Sequence, residues 1–253
     1  MLSPVNVIPR RPAATAIALW IVTVAITIAS AGLLSLVAPQ LDMMTQRLIA
    51  VLLLAVFAAV VVLVTKPQLL RNGSCPPALL VLPLLVVLAP FAGGLKDESA
   101  QAVAVLVIGY LATGVYEELW FRGLVLDALR TWPPLRAALL SSALFGLAHL
   151  SNIAFGANVA ITAAQVVGAA CYGVGLAALR LRGLALWPLI LIHAVTDIAL
   201  ALGNVSAGWR WGLMIGGDTV LLVFGLFVLA GHRVRPADPS RPVAETSAAR
   251  SGS

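Results

Sequence analysis

Residues 47–65 read RLIAVLLLAVFAAVVVLVT, a stretch with no charge between Arg47 and Lys66. At a rise of about 1.5 Å per residue, such a run approaches the ~30 Å hydrocarbon core of a bilayer and reads as a membrane-spanning helix. A window of about 20 apolar residues finds the same character at 13–38, 76–95, 98–131, 134–150, 159–181, 183–202 and 208–231. The composition agrees with this reading. Of 253 residues, 61% are hydrophobic and 10% charged, where soluble chains carry roughly 45–50% and about 25%; mean hydropathy is +1.02. The expected fold class is all-α, a polytopic membrane protein of about eight transmembrane helices.

Outward from that frame, the N-terminal Arg10 and Arg11, followed by an apolar run and Ala29-Ser30-Ala31, imitate a secretory signal. The run continues to Ala38, too long for a signal core, and reads as a retained first helix. Prolines at Pro76-Pro77 and Pro133-Pro134 mark helix starts, and Asn72-Gly73 and Ala92-Gly93-Gly94 mark turns. Residues 1–12 are expected to be a cytoplasmic arm and 13–231 the transmembrane domain. The Arg-, Pro- and Ser-rich 232–253 is expected to be a disordered cytoplasmic tail. Cys75 and Cys171 supply neither a disulfide framework nor a CxxC knuckle and read as small core hydrophobes.

The net charge of +6 comes from basic residues scattered singly between apolar blocks, which argues for topology rather than a nucleic-acid partner. An internal N-terminus puts Arg10, Arg11, Lys66, Arg71, Arg130, Arg136, Arg180, Arg182, Arg233, Arg235, Arg241 and Arg250 in the cytoplasm. Only Arg47, Lys96 and Arg210 then lie outside. That asymmetry predicts cytoplasmic termini in a multi-pass protein of the plasma membrane. Trp132 and Trp187 near inner ends, and Trp209 and Trp211 near an outer end, fit interfacial belts.

Ionisable groups inside a membrane are costly and therefore informative. The fourth span carries Glu117-Glu118-Leu119-Trp120-Phe121-Arg122, the fifth Phe145-Gly146-Leu147-Ala148-His149, and the seventh His193-Ala194-Val195-Thr196-Asp197. By helical rise, Glu117 lies roughly 21 Å from the inner end of its helix, His149 roughly 22 Å, His193 roughly 15 Å and Asp197 roughly 21 Å. The shared depth suits one composite polar site. Within helices, Glu118 pairs with Arg122 at i,i+4, whereas Glu117 points about 100° away and is left free. His193 and Asp197 are also i,i+4, so the carboxylate is positioned to hold the imidazole. Read singly, these groups could equally be a buried ion pair and helix-to-helix hydrogen bonds. Asp218 reads as a hydrogen-bonded structural acid, and Asp127 as a solvated residue near an inner helix end.

Glu-Glu-x-x-x-Arg, Phe-x-x-x-His and His-x-x-x-Asp, in this order on consecutive spans, resemble the CAAX-protease and bacteriocin-processing (CPBP, or Abi) family of intramembrane proteases. The resemblance covers residues 117–197. It implies an all-helical endopeptidase in which Glu117 activates water, His149 and His193 bind a metal or polarise the scissile carbonyl, and Glu118 with Arg122 supports them. Asp197 stands where prenyl-processing members have Asn, and an ionised Asp cannot donate to an oxyanion, so orientation or metal ligation gains. A catalytic zinc on His149 and His193 is the expected cofactor. The competing arrangement leaves Glu117 alone on water with the histidines as hydrogen-bond donors.

A carboxylate and histidines at low dielectric independently suit hydrolysis of a membrane-associated peptide or protein. The sequence has no His-Glu-x-x-His or Gly-x-Ser-x-Gly, and Gly216-Gly217-Asp218 lacks the first glycine of a Gly-x-Gly-Asp motif. The alternatives are a proton-coupled transporter and a non-catalytic scaffold or immunity protein of the same family. Prenylated tails, bacteriocin leaders and other membrane peptides all remain open as substrates, and Gly109, Gly114 and Gly146 are expected to open a groove for them.

Overall fold

The computed structural model describes residues 11–71 and 73–231; the tail, most of the N-terminal arm and Asn72 of the expected turn lie outside them. All eight expected spans are helical. They comprise α1 (Pro12–Val37), α2 (Met43–Thr65), α3 (Ala78–Leu88), α4 (Ala100–Glu117), α5 (Leu126–Ala128), α6 (Pro134–Ala148), α7 (Val159–Leu181), α8 (Leu186–Leu202) and α9 (Ala207–Ala230). A π-helical segment, Glu118–Val125, joins α4 to α5, so that Ala100–Ala128 forms one continuous rod. Among the described residues, extended pairing is limited to an isolated bridge between Leu95 and Gly203.

Six helices are long and apolar enough to cross a membrane; Ala78–Gly93 and Leu186–Leu202 are shorter. Two prolines shorten the first of these: Pro83 lies within α3, and Pro90 sits in the first turn of the 3-10 segment Ala89–Gly93 that ends it. Large apolar side chains face outward, Leu36, Val64 and Phe227 being at least 77% exposed. Water would penalise such a surface, whereas lipid accommodates it.

Helix starts follow ordinary capping chemistry. Asp42 accepts from the Met44 and Thr45 amides ahead of α2, at 2.9 and 3.0 Å. Ser99, Asn158 and Ser206 cap α4, α7 and α9. These four starts share one end of the bundle, here termed the capped end, where Lys96 N–H donates to Leu202 O at 2.8 Å and its ammonium to Ala201 O. The opposite, basic end holds Lys66, Arg130 and Arg180. There Lys66 and Arg130 both pair with Asp127, at 3.1 and 3.2 Å, so Asp127 is an ion-pair hub rather than the solvated acid expected. Gly183, with φ +92°, turns the chain from α7 into α8 at this end, in the left-handed region that favours glycine.

Glycines set the helix crossings. A Cβ on Gly114 would lie 2.8 Å from Ile190 O, one on Gly146 2.4 Å from Val166 O, and one on Gly225 2.7 Å from Val174 O. They join α4 to α8, α6 to α7 and α9 to α7 by close backbone approach. The groove expected at Gly114 and Gly146 is therefore absent, because neighbouring backbones occupy the space; Gly109 does face a cavity. The most buried large side chains, Trp120, Phe121, Arg122, Phe145, Leu176 and Leu189, gather around the π-helical segment.

Candidate active site

The fourth span departs from the α-helix where its charged residues begin. From Glu118 the backbone takes π-helical pairing for eight residues, a wider turn often associated with functional sites. Ser141 on α6 donates to Phe121 O at 3.2 Å, bracing the segment from outside. Trp120 Nε1–H donates to Leu19 O at 3.1 Å and ties it to α1.

Glu118 is fully buried, and its Oε1 accepts from Arg122 Nη1 at 3.1 Å, as the spacing predicted. The same oxygen lies 2.7 Å from His193 Nδ1. Glu118 is thus shared between its own helix and α8, beyond the intrahelical pairing expected. Arg122 lies 4.1 Å over the Phe145 ring, a cation–π contact in a dry setting.

Glu117 is not left free. Its Oε2 is 3.3 Å from His193 Nε2, so the two adjacent carboxylates flank opposite nitrogens of one imidazole. Both residues keep α-helical dihedrals, φ −74°, ψ −39° and φ −72°, ψ −39°, so their side chains diverge as the spacing predicted, and the His193 imidazole sits between them. Asp197 Oδ2 is 3.8 Å from His193 Nε2, beyond hydrogen-bond range. The expected orienting role of Asp197 falls instead to Glu118, because the interhelical contact is shorter than the i,i+4 one.

His149 ends α6. Its Nδ1 is 3.0 Å from Phe145 O, a contact that as Nδ1–H donation leaves Nε2 unengaged. The Phe145 ring stands edge-on to both histidines, with centroids 4.9 Å from His149 and 5.9 Å from His193. Tyr172, 5.6 Å from His193, bonds Thr196 on α8 at 3.1 Å and closes the far side.

Glu117, His149, His193 and Asp197 all line a cavity of about 830 Å³ that extends from Phe121 to Met43, Met44 and Arg47 at the capped end. That volume suits a ligand of drug or short-peptide size. Glu117 Oε2 is buried without a hydrogen-bond partner among the described residues, facing His193 Nε2, while the Glu117 side chain as a whole is 17% exposed.

Among the described residues no group of three or more His, Cys, Asp or Glu is placed to hold a metal ion. Glu118 holds His193 Nδ1 and leaves Nε2, beside Glu117 and Asp197, as the nitrogen that a zinc ion would take, and His149 lines the same cavity.

Some functional positions lay outside the motifs. Tyr116 bonds both Thr23 and Thr27 of α1, the latter at 3.1 Å, and walls the cavity beside Glu117. Two threonines four residues apart on one face of a largely apolar helix were the available signal. Asp218 lies apart, beside Gly168 and a small second cavity, and makes no hydrogen bond among the described residues, contrary to the structural bond expected.

Residues 99–199 match the family model described as Rce1-like, type II CAAX prenyl endopeptidase Rce1-like, and the match includes every motif residue from Glu117 to Asp197. The family is of the CAAX-protease type that those motifs resemble. No curated protein matches the chain.

Proposed function

We propose, from a central segment that is Rce1-like, that this membrane protein is an endopeptidase in which Glu117 activates water against a peptide bond held in the cavity. The observation carrying this reading is the clamp of His193 between Glu117 and Glu118, at 3.3 and 2.7 Å, at the cavity wall. A structural histidine needs one partner; this one has a dedicated buried carboxylate on Nδ1 and presents Nε2 to a second carboxylate that is solvent-accessible.

In the proposed reaction, Glu117 accepts a proton from water as the oxygen attacks the scissile carbonyl carbon. His193, doubly protonated and anchored through Nδ1–H to Glu118, turns Nε2–H from Glu117 to the developing oxyanion. His149 Nε2 faces the same space and supports the carbonyl or its water. The tetrahedral intermediate collapses as the C–N bond breaks, and protonated Glu117 delivers its proton to the leaving nitrogen. The products are a carboxylate and an amine. Arg122 holds Glu118 in place, and Asp197 lies beside Nε2.

Orientation completes the reading. With the basic end in the cytoplasm, both termini are internal and the cavity faces the outside of the plasma membrane. Substrates are then membrane-associated peptides or proteins reached from that side.

Peptidomics of membranes with and without the protein supplies a substrate, and purified variants test the chemistry. Glu117→Gln and His193→Ala are each expected to abolish cleavage while the protein remains folded, since members of one catalytic unit fail together. Near-normal cleavage by Glu117→Gln would remove the glutamate from the role of base.

A further inference from the structure

The cavity has a second charged feature, at the end away from Glu117. Arg47 on α2 and Arg210 on α9 both line it. Neither forms a salt bridge among the described residues. Arg47 is exposed, with its guanidinium carbon 6.0 Å from the Phe155 ring centroid. Arg210 Nε is buried and has no hydrogen-bond partner among the described residues.

Their placement is electrostatically unfavourable in the free protein. α2 starts at Met43 and α9 at Ala207, so each arginine lies near the N-terminus of its helix, where the macrodipole favours anions and disfavours cations. The N-termini of α4 and α7 lie at the same capped end. Two cations without acidic partners, an orphaned buried N–H and several helix N-termini together form a positive rim on a cavity whose floor is acidic. An anion there would satisfy Arg210 and reverse the dipole penalty, and guanidinium groups match carboxylates geometrically.

We propose that Arg47 and Arg210 form a subsite that binds a carboxylate of the substrate peptide and fixes its reach to the bond over Glu117. The inference rests on the hydrolytic reading for the identity of its ligand, and it deepens that reading by adding a charge requirement. The carboxylate has two sources, the peptide's own C-terminus or an Asp or Glu side chain.

The test uses the purified full chain and a peptide that it cleaves, prepared in three forms: free acid, C-terminal amide, and free acid with its acidic side chains changed to Asn or Gln. Wild-type enzyme is expected to lose roughly tenfold or more in kcat/KM, mainly through KM, for whichever form lacks the recognised carboxylate. Arg47→Gln/Arg210→Gln is expected to erase that preference, and Arg47→Lys/Arg210→Lys to keep part of it. Binding of the same peptides to the Glu117→Gln protein, followed by fluorescence anisotropy, separates this inference from the chemistry. A carboxylate preference in binding that the arginine variants lose upholds the subsite even if the glutamate assignment fails. Equal binding of all three forms, or arginine variants that respond only to anionic lipid in the vesicles, overturns it.

Discussion

Replacing Arg122 by alanine should be among the most damaging single changes available to this fold. Its guanidinium is 1% exposed and bonds a carboxylate that is 0% exposed. Removing Arg122 leaves buried Glu118 with His193 alone as its partner, and breaking a buried pair in this way costs about 3–5 kcal/mol. The contact over Phe145, 4.1 Å away, is lost as well; cation–π contacts contribute up to about 2 kcal/mol when desolvated, and the two terms overlap because they share one side chain. We expect a loss of about 3–5 kcal/mol in reversible unfolding by SDS in mixed micelles, read by tryptophan fluorescence. Adding Glu118→Gln removes the stranded charge, so the double variant should recover at least half of the deficit even though His193 loses its ionised partner. An Arg122→Ala protein within about 1 kcal/mol of wild type, on the scale of an exposed ion pair, would refute the reasoning. So would a double variant whose deficit is the simple sum of the two singles.

Other expectations follow from geometry. Gly146→Ala places a Cβ 2.4 Å from Val166 O and 2.9 Å from Ala170 Cβ, so α6 and α7 must separate; a loss of about 1–3 kcal/mol should accompany a drop in activity, because His149 lies three residues on, and an unchanged unfolding midpoint would contradict the crossing described. A cysteine introduced at Asn204, in an otherwise cysteine-free protein, should label with an impermeant maleimide from outside intact cells while one at Arg130 should not; the reverse pattern would invert the orientation. Chelation followed by zinc add-back tests the metal expectation: with Glu117 alone on water, chelator-treated protein keeps cleaving, whereas activity that falls on chelation and returns with zinc identifies a zinc enzyme.

The eight helical segments were legible because run length and hydropathy are properties of contiguous sequence. The shortness of the third was also written in Pro83 and Pro90. The Glu118–Arg122 pair was legible for the same reason, being a spacing rule within one helix. What spacing did not reveal was the choice of partner across helices. Asp197 was favoured for His193 because the two are i,i+4, yet Glu118, distant in sequence, lies 2.7 Å away. The π-helical segment escaped notice because its onset leaves no mark in hydrophobic periodicity when every residue from Glu118 to Val125 is buried. Gly114 and Gly146 were read as space, and they are contact, a distinction that depends on which backbone lies opposite.

The two short spans, Ala78–Gly93 and Leu186–Leu202, stand side by side, and the second carries His193 and Asp197. α8 has 17 residues, about 25 Å of helix, against ~30 Å of hydrocarbon. Lipid beside α3 and α8 is expected to thin to match them, so that the bilayer dips along this flank. Hydrophobic mismatch of this kind has a modest cost per ångström and sorts proteins among membranes. On the proposed function, a backbone that enters the site from lipid crosses the least hydrocarbon at this dip, so shorter-chain lipids are expected to favour turnover.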